Sequence, residues 1–193
     1  KYFTDVFVPF GKGLRARAGD KVVCKILAYP KKKNPEGIVS KILGRQFDKT
    51  AELKSIAYNY KLPDKFPSDA LAEANAFPQK LDKSDKKNRK DFRKLLTVTI
   101  DGEDARDFDD AVSVEKKGKR YVLGVHIADV TNYVKSGDAL DKEAFERGTS
   151  VYFPEKVIPM LPERLCNGLC SLKEDEERLT LSCVMTIDEN GNR

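Results

Sequence analysis

The chain has 193 residues, a net charge of +5, and side chains that are 35% charged and 40% hydrophobic. This length suggests one domain or two small ones, and it is sufficient to bury a core without a disulfide or metal. The hydrophobic fraction argues against a wholly disordered chain, and no apolar run reaches the roughly 20 residues of a membrane span. No secretory signal opens the chain, and four cysteines fit a reduced cytoplasmic protein better than a disulfide framework.

The net charge conceals an uneven distribution. Residues 1–100 hold 23 basic and 11 acidic side chains, whereas residues 101–193 hold 13 basic and 20 acidic ones. A basic half joined to an acidic half indicates one part that holds a polyanion and one that holds cations.

Residues 1–46 have the sequence pattern of short strands. Apolar and β-branched residues predict strands over residues 3–9, 21–28 and 37–43, with turns at the intervening glycines. The basic loop Lys31–Lys33 precedes the third strand and is a weak candidate for phosphate contacts. We interpret residues 1–46 as part of a small β-barrel.

Residues 47–94 lack this strand pattern, and we interpret them as a linker with short helices. Prolines interrupt the segment, and a helix is predicted over residues 68–76 with Ser68 as its N-cap. The mostly basic run over residues 80–94 predicts an exposed linker or helix. Its residues 83–94 are a second weak candidate for phosphate contacts, because such runs are often only solvated.

The β pattern returns in residues 95–193, which we interpret as a truncated α+β domain. A helix is predicted over residues 138–148, ending at Gly148. Strands are predicted over residues 96–100, 111–115, 121–127, 151–153 and 179–187. Asn190-Gly191 predicts a hairpin turn, and no returning strand follows it, so we expect the chain to be an excerpt of a longer protein.

The most informative segment is residues 101–110, which hold six carboxylates between two apolar strands. Two carboxylates ~5 Å apart repel by roughly 3 kcal/mol at an effective dielectric of 20, so the loop favours cations among its side chains. The all-oxygen side chains of Asp101, Asp107, Asp109 and Asp110 suit Mg²⁺ or Mn²⁺. Two such ions would activate a water and stabilise the leaving oxygen of a phosphodiester.

Two other interpretations of this loop were weighed. An EF-hand counted from Asp101 fails, because Ala105 stands at the fifth position and Val112 at the twelfth. A solvated acidic loop without metal is the usual explanation of a charge run and stays open.

The sequence around this loop resembles a known family. Thr97-Val-Thr-Ile-Asp-Gly-Glu-Asp-Ala-Arg-Asp-Phe-Asp-Asp-Ala-Val112 is similar to the start of the catalytic (RNB) domain of the ribonuclease II/ribonuclease R exoribonucleases. The resemblance continues through Gly124-Val-His-Ile-Ala-Asp-Val-Thr131, Ser150-Val-Tyr-Phe-Pro154 and Leu169-Cys-Ser-Leu172. Upstream, Asp5-Val-Phe-Val-Pro9, Ala18-Gly-Asp-Lys-Val22 and Pro35-Glu-Gly-Ile-Val39 resemble later strands of a cold-shock domain.

The resemblance implies a Mg²⁺-dependent 3′–5′ exoribonuclease that acts on the 3′ end of single-stranded RNA and releases nucleoside 5′-monophosphates. It places the catalytic and metal-binding aspartates on Asp101, Asp107, Asp109 and Asp110, with Asp109 the most important for chemistry. Tyr152 falls on the tyrosine that stacks on a 3′-terminal base, although an ordinary strand aromatic is the alternative. Arg106 either neutralises its acidic neighbours or contacts substrate phosphate.

The resemblance also implies an α+β fold made of a partial OB-like (cold-shock) β-barrel followed by the N-terminal half of an RNB catalytic domain. The later catalytic residues of the family are not in this sequence, so we expect the 193 residues alone to be inactive. A non-catalytic nucleic-acid-binding module is the alternative function. We expect a monomeric, cytoplasmic protein without membrane contact.

Three further residues were considered for chemistry. His126 lies within a predicted strand, where a lone histidine is more often a hydrogen-bonded structural residue than a catalytic base. Cys166 and Cys170 lack the spacing of a zinc site and are expected to be buried or inactive thiols.

Overall fold

The computed structural model describes residues 4–193. The chain forms two compact units, Lys1–Asp64 and Lys65–Arg193. The boundary between the units lies inside the segment 47–94 that the sequence analysis assigned to a linker. None of the helices formed by residues 4–193 has the length and apolar content that crossing a membrane requires.

The first unit is built on an antiparallel pair of strands. Strands β1 (Asp20–Ala28) and β2 (Glu36–Arg45) are joined across the basic loop, and three irregularities interrupt their register. Val39 and Leu43 on β2 are buried. Both strands confirm the sequence prediction within one or two residues at each end.

Helix α1 (Lys49–Asn59) follows β2 in the same unit. Asp48 caps it, because its Oδ1 accepts a hydrogen bond from the Ala51 amide at 3.0 Å. Ala51 is fully buried, and a Cβ placed at Gly44 would lie 2.9 Å from the Ala51 Cβ. Glycine at position 44, where φ is +139°, therefore permits the close approach of helix and strand.

The predicted strand over residues 3–9 is largely absent from the described part of that segment. Residue 3 lies outside the described residues, and within residues 4–9 only Phe7 forms a β-bridge, to Glu36. The chain then turns, since the Lys12 amide donates to the Pro9 carbonyl at 3.0 Å. Because the chain turns right after residue 9, the strand pairing does not extend beyond the bridge at Phe7.

The second unit contains a four-stranded antiparallel sheet. The strands are β3 (Thr97–Val98), β4 (Asp110–Lys117), β5 (Arg120–Ala128) and β8 (Thr180–Ile187), in the spatial order β3-β4-β5-β8. Asp110 at the start of β4 pairs with Ile127, near the end of β5. The predicted strand over residues 96–100 is shortened to two residues, and Leu96 and Ile100 on either side of it are more than 80% exposed, so no apolar contact holds them in the sheet.

Helices, turns and a short hairpin surround the core of the second unit. They are α2 (Ser68–Ala76), a 3₁₀ turn (Val130–Asn132), α3 (Ala139–Arg147), the hairpin β6 (Val151–Phe153) and β7 (Lys156–Ile158), and a π-helical turn (Leu165–Leu169). The core cluster includes Ala70, Ala74, Tyr133, Leu140, Leu161, Leu165, Leu169 and Cys170.

The two helices of this unit begin differently. Asp138 caps α3 through the Asp141 amide at 2.7 Å, and Glu73 from α2 accepts from the amides of Ala139 and Leu140 at 3.0 Å. The prediction that Ser68 caps α2 was wrong, because Pro67 occupies the N-cap position and no side chain caps it. Instead, Asp69 accepts from the adjacent Ala70 amide at 2.9 Å.

The basic run over residues 80–94 forms turns without a helix. Ion pairs attach it to the rest of the second unit. Arg89 pairs with Asp129 at 2.6 Å, and Lys86 and Arg93 pair with Glu177. Three cations of the run are therefore engaged within the unit, which reduces the charge that it presents to an external phosphate.

Candidate active site

The acidic loop, residues 101–110, lies between β3 and the first residue of β4. It opens with a turn in which the Ala105 amide donates to the Gly102 carbonyl at 3.0 Å. At its far end the Ala128 amide, from the end of β5, donates to the Asp109 carbonyl at 2.9 Å. The loop thus ends at a fixed point on the sheet.

A second attachment holds the middle of the loop. The hydroxyl of Ser171 donates to the Arg106 carbonyl at 2.7 Å and accepts from the Phe108 amide at 3.1 Å. The Leu172 amide donates to the Phe108 carbonyl at 2.9 Å. Ser171 was not singled out from the sequence, although it lies within Leu169-Cys-Ser-Leu172, one of the segments that carry the family resemblance.

The four predicted aspartates share one electrostatic environment. Desolvation of its carboxyl raises the pKa of Asp109, and the negative charges of Asp107, Asp110 and Asp101 raise it further. Asp109 as a whole residue is nevertheless exposed, as are Asp110 and Asp101, while Asp107 is half-buried. The structure therefore brings together the charges of the aspartates that the sequence analysis selected.

The side chains do not form a ready-made metal cage. Within residues 4–193, no three His, Cys, Asp or Glu side chains converge in a geometry that holds a metal ion. The chemistry of the aspartates fits a hard divalent cation, because all the donors are carboxylate oxygens and they repel one another in its absence. A bound cation would require these side chains to turn toward a common point.

Tyr152 on the β6–β7 hairpin reaches the acidic loop. Its hydroxyl donates to Asp107 Oδ2, and this hydrogen bond, with some desolvation, raises the pKa of Tyr152 to about 12. The residue is 61% exposed. An exposed aromatic ring therefore lies next to Asp107, and this contact was not predicted from the sequence.

Arg106 lies on the exposed surface of the acidic loop. Its carbonyl is bound by Ser171, and across the described residues its guanidinium shows no ion pair with an acidic neighbour. Both roles considered for Arg106 stay predictions.

Asp129, which sequence reasoning missed as a possible structural residue, follows the last residue of β5. It is 5% exposed and accepts hydrogen bonds from Arg89 at 2.6 Å and Thr131 Oγ1 at 2.7 Å. Burial alone would raise the pKa of Asp129, but these hydrogen bonds and the Arg89 charge outweigh it and lower the pKa. Asp129 therefore anchors the 80–94 run beside the strand end that holds Asp109.

His126 is a hydrogen-bonded structural residue, as the sequence predicted. Its Nε2 lies 2.9 Å from Ser113 Oγ and its Nδ1 lies 2.8 Å from Ser182 Oγ, which joins three strands. Desolvation lowers its pKa. The cysteines are unpaired; Cys170 is buried, and desolvation raises the pKa of Cys166 to about 11 and of Cys170 to about 12.

Comparison with known proteins assigns both units to families. The RNB domain family matches residues 89–193, more than half of the chain, and the cold shock domain family matches residues 1–67. The chain belongs to the RNB family. The expected combination of a cold-shock unit and the N-terminal part of an RNB domain is confirmed, together with its mixed α and β structure.

Relatives of this RNB chain are ribonucleases of the R type. It is 54% identical over 180 residues to Ribonuclease R of Thermotoga maritima, covering 91% of this chain and 25% of that protein. It is 47% identical over 174 residues to Ribonuclease R 2 of Lactococcus lactis, covering 89% of this chain and 26% of that protein. The chain thus spans about a quarter of the length of these relatives.

Solved structures show the same fold. RNase R of Mycoplasma genitalium in complex with double-stranded RNA superposes with a TM-score of 0.89 at 29% identity, covering 98% of this chain and 34% of that one. Yeast Ssd1, described as a pseudonuclease, superposes with a TM-score of 0.67 at 25% identity, covering 90% of this chain and 22% of that one. The RNB fold therefore occurs both in a ribonuclease and in a protein described as lacking nuclease activity.

Proposed function

We propose that this chain is the part of a Mg²⁺-dependent 3′–5′ exoribonuclease that carries its catalytic aspartates. The full enzyme hydrolyses RNA from a single-stranded 3′ end to nucleoside 5′-monophosphates. The observation that carries the proposal is the grouping of Asp101, Asp107, Asp109 and Asp110 on one loop at the end of the sheet. Desolvation raises the pKa of Asp109, and the negative charges of the other three raise it further. Membership of the RNB family supports the reaction class.

The chemistry assigns a role to each part of the site. Mg²⁺, when bound, supplies activation of a water and stabilisation of the leaving oxygen. The four aspartates hold it and fix its distance from the scissile phosphate, because carboxylate oxygens are its preferred protein ligands. The exposed guanidinium of Arg106 is suited to bind a phosphate oxygen.

Tyr152 orients the substrate in this proposal. Stacking of a base on an exposed ring contributes about 1–3 kcal/mol and does not depend on base identity, which suits an enzyme that digests any sequence. RNA as the ligand is supported by solved structures of Mycoplasma genitalium RNase R with double-stranded RNA and with ribose methylated single-stranded RNA. We also propose a monomeric state and a cytoplasmic location, and the four unpaired cysteines support the location.

The test compares Asp109→Asn with Asp104→Asn in the full-length enzyme. Both changes remove one charge from the acidic loop, but only Asp109 belongs to the proposed metal site. We expect Asp109→Asn to reduce release of mononucleotides from a labelled single-stranded RNA by about 100-fold or more, the loss typical of removing one electrostatic stabiliser of a transition state. Asp104→Asn is expected to retain most of the activity.

A non-catalytic nucleic-acid-binding module is the second candidate. Two observations favour it: the metal ligands are not preassembled within residues 4–193, and the fold is shared with the pseudonuclease Ssd1. Hydrolysis that is unchanged in Asp109→Asn would refute the proposal that this chain carries the catalytic aspartates. If the unaltered protein binds RNA without releasing mononucleotides, the binding module is the correct function.

A further inference from the structure

Ser171 binds the peptide groups on both sides of Asp107. Its hydroxyl donates to the Arg106 carbonyl at 2.7 Å, on the N-terminal side, and accepts from the Phe108 amide at 3.1 Å, on the C-terminal side. The side chain is fully buried, so water does not compete for these bonds. A hydroxyl is suited to this position because it donates and accepts at the same time.

Ser171 is itself held by its surroundings. Its amide donates to the Gly168 carbonyl at 3.2 Å, and its carbonyl accepts from Arg178 Nε at 2.8 Å. It directly follows Cys170, a residue of the buried core cluster. The serine therefore connects the acidic loop to a part of the unit that is already ordered by packing.

The loop needs such a connection because its own charges oppose a compact arrangement. Mutual repulsion of the carboxylates favours an opened loop, and ordering one residue's backbone costs about 1–2 kcal/mol. Fixing both peptide groups that flank Asp107 fixes the direction in which its side chain leaves the backbone. That direction decides whether the Asp107 carboxylate faces Tyr152 and the other aspartates.

We propose that Ser171 is a positioning residue of the RNB site: its two hydrogen bonds hold Asp107 where it binds a divalent cation together with the other aspartates. The proposal rests on the proposed function, in which Asp107 is a metal ligand. Ser171 contacts neither metal nor RNA and acts only through the backbone of the acidic loop. Its loss weakens cation binding to a greater extent than the loss of a similarly buried serine in the sheet.

The experiment measures Mn²⁺ affinity of this chain, by paramagnetic relaxation of water protons, in four proteins. They are the unaltered chain, Ser171→Ala, Ser171→Cys and the matched control Ser113→Ala. Ser113 is 4% exposed and bonds His126, so its removal also breaks a buried hydrogen bond but does not touch the acidic loop. Ser171→Cys keeps a γ atom at this position, although a larger one, while replacing the hydroxyl with a poor hydrogen-bonding group.

We expect both Ser171 variants to bind Mn²⁺ about tenfold more weakly than the unaltered chain, as is usual when a residue that orients a metal ligand is removed. The control is expected to change affinity less than about twofold. Equal weakening in Ser113→Ala and Ser171→Ala would overturn the positioning role. Failure of the unaltered chain to bind Mn²⁺ would instead count against the proposed metal site.

Amide hydrogen exchange tests the two hydrogen bonds of Ser171 directly, without metal. The Phe108 amide is expected to exchange slowly in the unaltered chain and at least about tenfold faster in Ser171→Cys, with no change in Ser113→Ala. If neither Ser171 variant folds, the unaltered chain still decides the matter. A Phe108 amide that exchanges as fast as an exposed loop amide overturns the proposal, and a protected one supports it.

Discussion

Replacing Arg89 by Ala removes the cationic partner of a buried carboxylate. Asp129 is 5% exposed, and Arg89 Nη2 lies 2.6 Å from its Oδ2. In Arg89→Ala the carboxylate keeps the hydrogen bond from Thr131 Oγ1 at 2.7 Å but loses the guanidinium. The run over residues 80–94 also loses its attachment to the end of β5.

The expected cost is about 2 kcal/mol in the free energy of unfolding of the second unit. A hydrogen bond to a charged group contributes about 1.5–3 kcal/mol, and breaking a fully buried pair costs about 3–5 kcal/mol. The side chain of Arg89 is 30% exposed, so water replaces part of the lost interaction and the lower range applies.

The assay follows the amide NMR signals of β5 as urea is added, because these signals report on the second unit alone. Arg93→Ala is the control: Arg93 lies in the same run, and its pairs with Asp91 and Glu177 are exposed, so its removal is expected to cost much less stability than the removal of Arg89. A loss in Arg89→Ala no larger than in Arg93→Ala would refute the reasoning.

The pH dependence provides a second check on Arg89. The pKa of Asp129 is lowered in the fold, so its contribution to stability is present above its unfolded pKa of 3.8 and is lost as the pH falls through the folded pKa. The cost of Arg89→Ala should therefore be largest near neutral pH and shrink in strong acid. An Arg89→Ala cost that is the same in an Asp129→Asn background would show that the two residues are not coupled.

Three further predictions concern other residues. Burial lowers the pKa of His126 in the fold, so below about pH 6.5 the unfolded chain takes up a proton that the folded chain does not. Between about pH 7 and about pH 5 the unaltered chain should therefore lose more stability in urea than His126→Gln; equal losses would contradict this. Gly37→Ala should destabilise the first unit by about 1–3 kcal/mol, since the new Cβ would lie 2.6 Å from Cys24 Sγ. The control Gly13→Ala places its Cβ with nothing within 4 Å and should change stability by less than about 0.5 kcal/mol. Similar melting of the two variants would argue against the packing at Gly37. Tyr152→Phe should remove from the ultraviolet titration a phenol that ionises near pH 12; if the phenol that is lost ionises near pH 10 instead, its hydrogen bond to Asp107 is absent.

Much of the fold was visible in the sequence because local patterns determined it. The strands β4 and β5 and the helix between Asp138 and Gly148 are each encoded by neighbouring residues. The errors arose where tertiary contacts decide. Ser68 has cap chemistry but stands one residue inside the helix, and residues 96–100 have strand chemistry but little apolar contact to extend the ladder.

The candidate site likewise has a part that the sequence predicted and a part that it did not. The spacing of Asp101, Asp107, Asp109 and Asp110 along one loop identified the charges that the structure groups together. Contacts between distant residues were not predictable from any single segment. Ser171 lies 65 positions after Arg106, and Arg89 lies 40 positions before Asp129. Such pairs are specified by the topology of the unit, which brings segments together that share no sequence pattern.

The register of β4 against β5 has a consequence for how the chain tolerates insertions. Asp110 faces Ile127 across the ladder, so a slip by one residue would turn every side chain of β4 to the opposite face and carry Asp109 away from the Ala128 amide by the length of one residue, about 3.3 Å. An added residue inside either strand would therefore misalign the acidic loop. The tip of the hairpin at Gly118-Lys119, at the far end of both strands, can change length without moving a single aspartate.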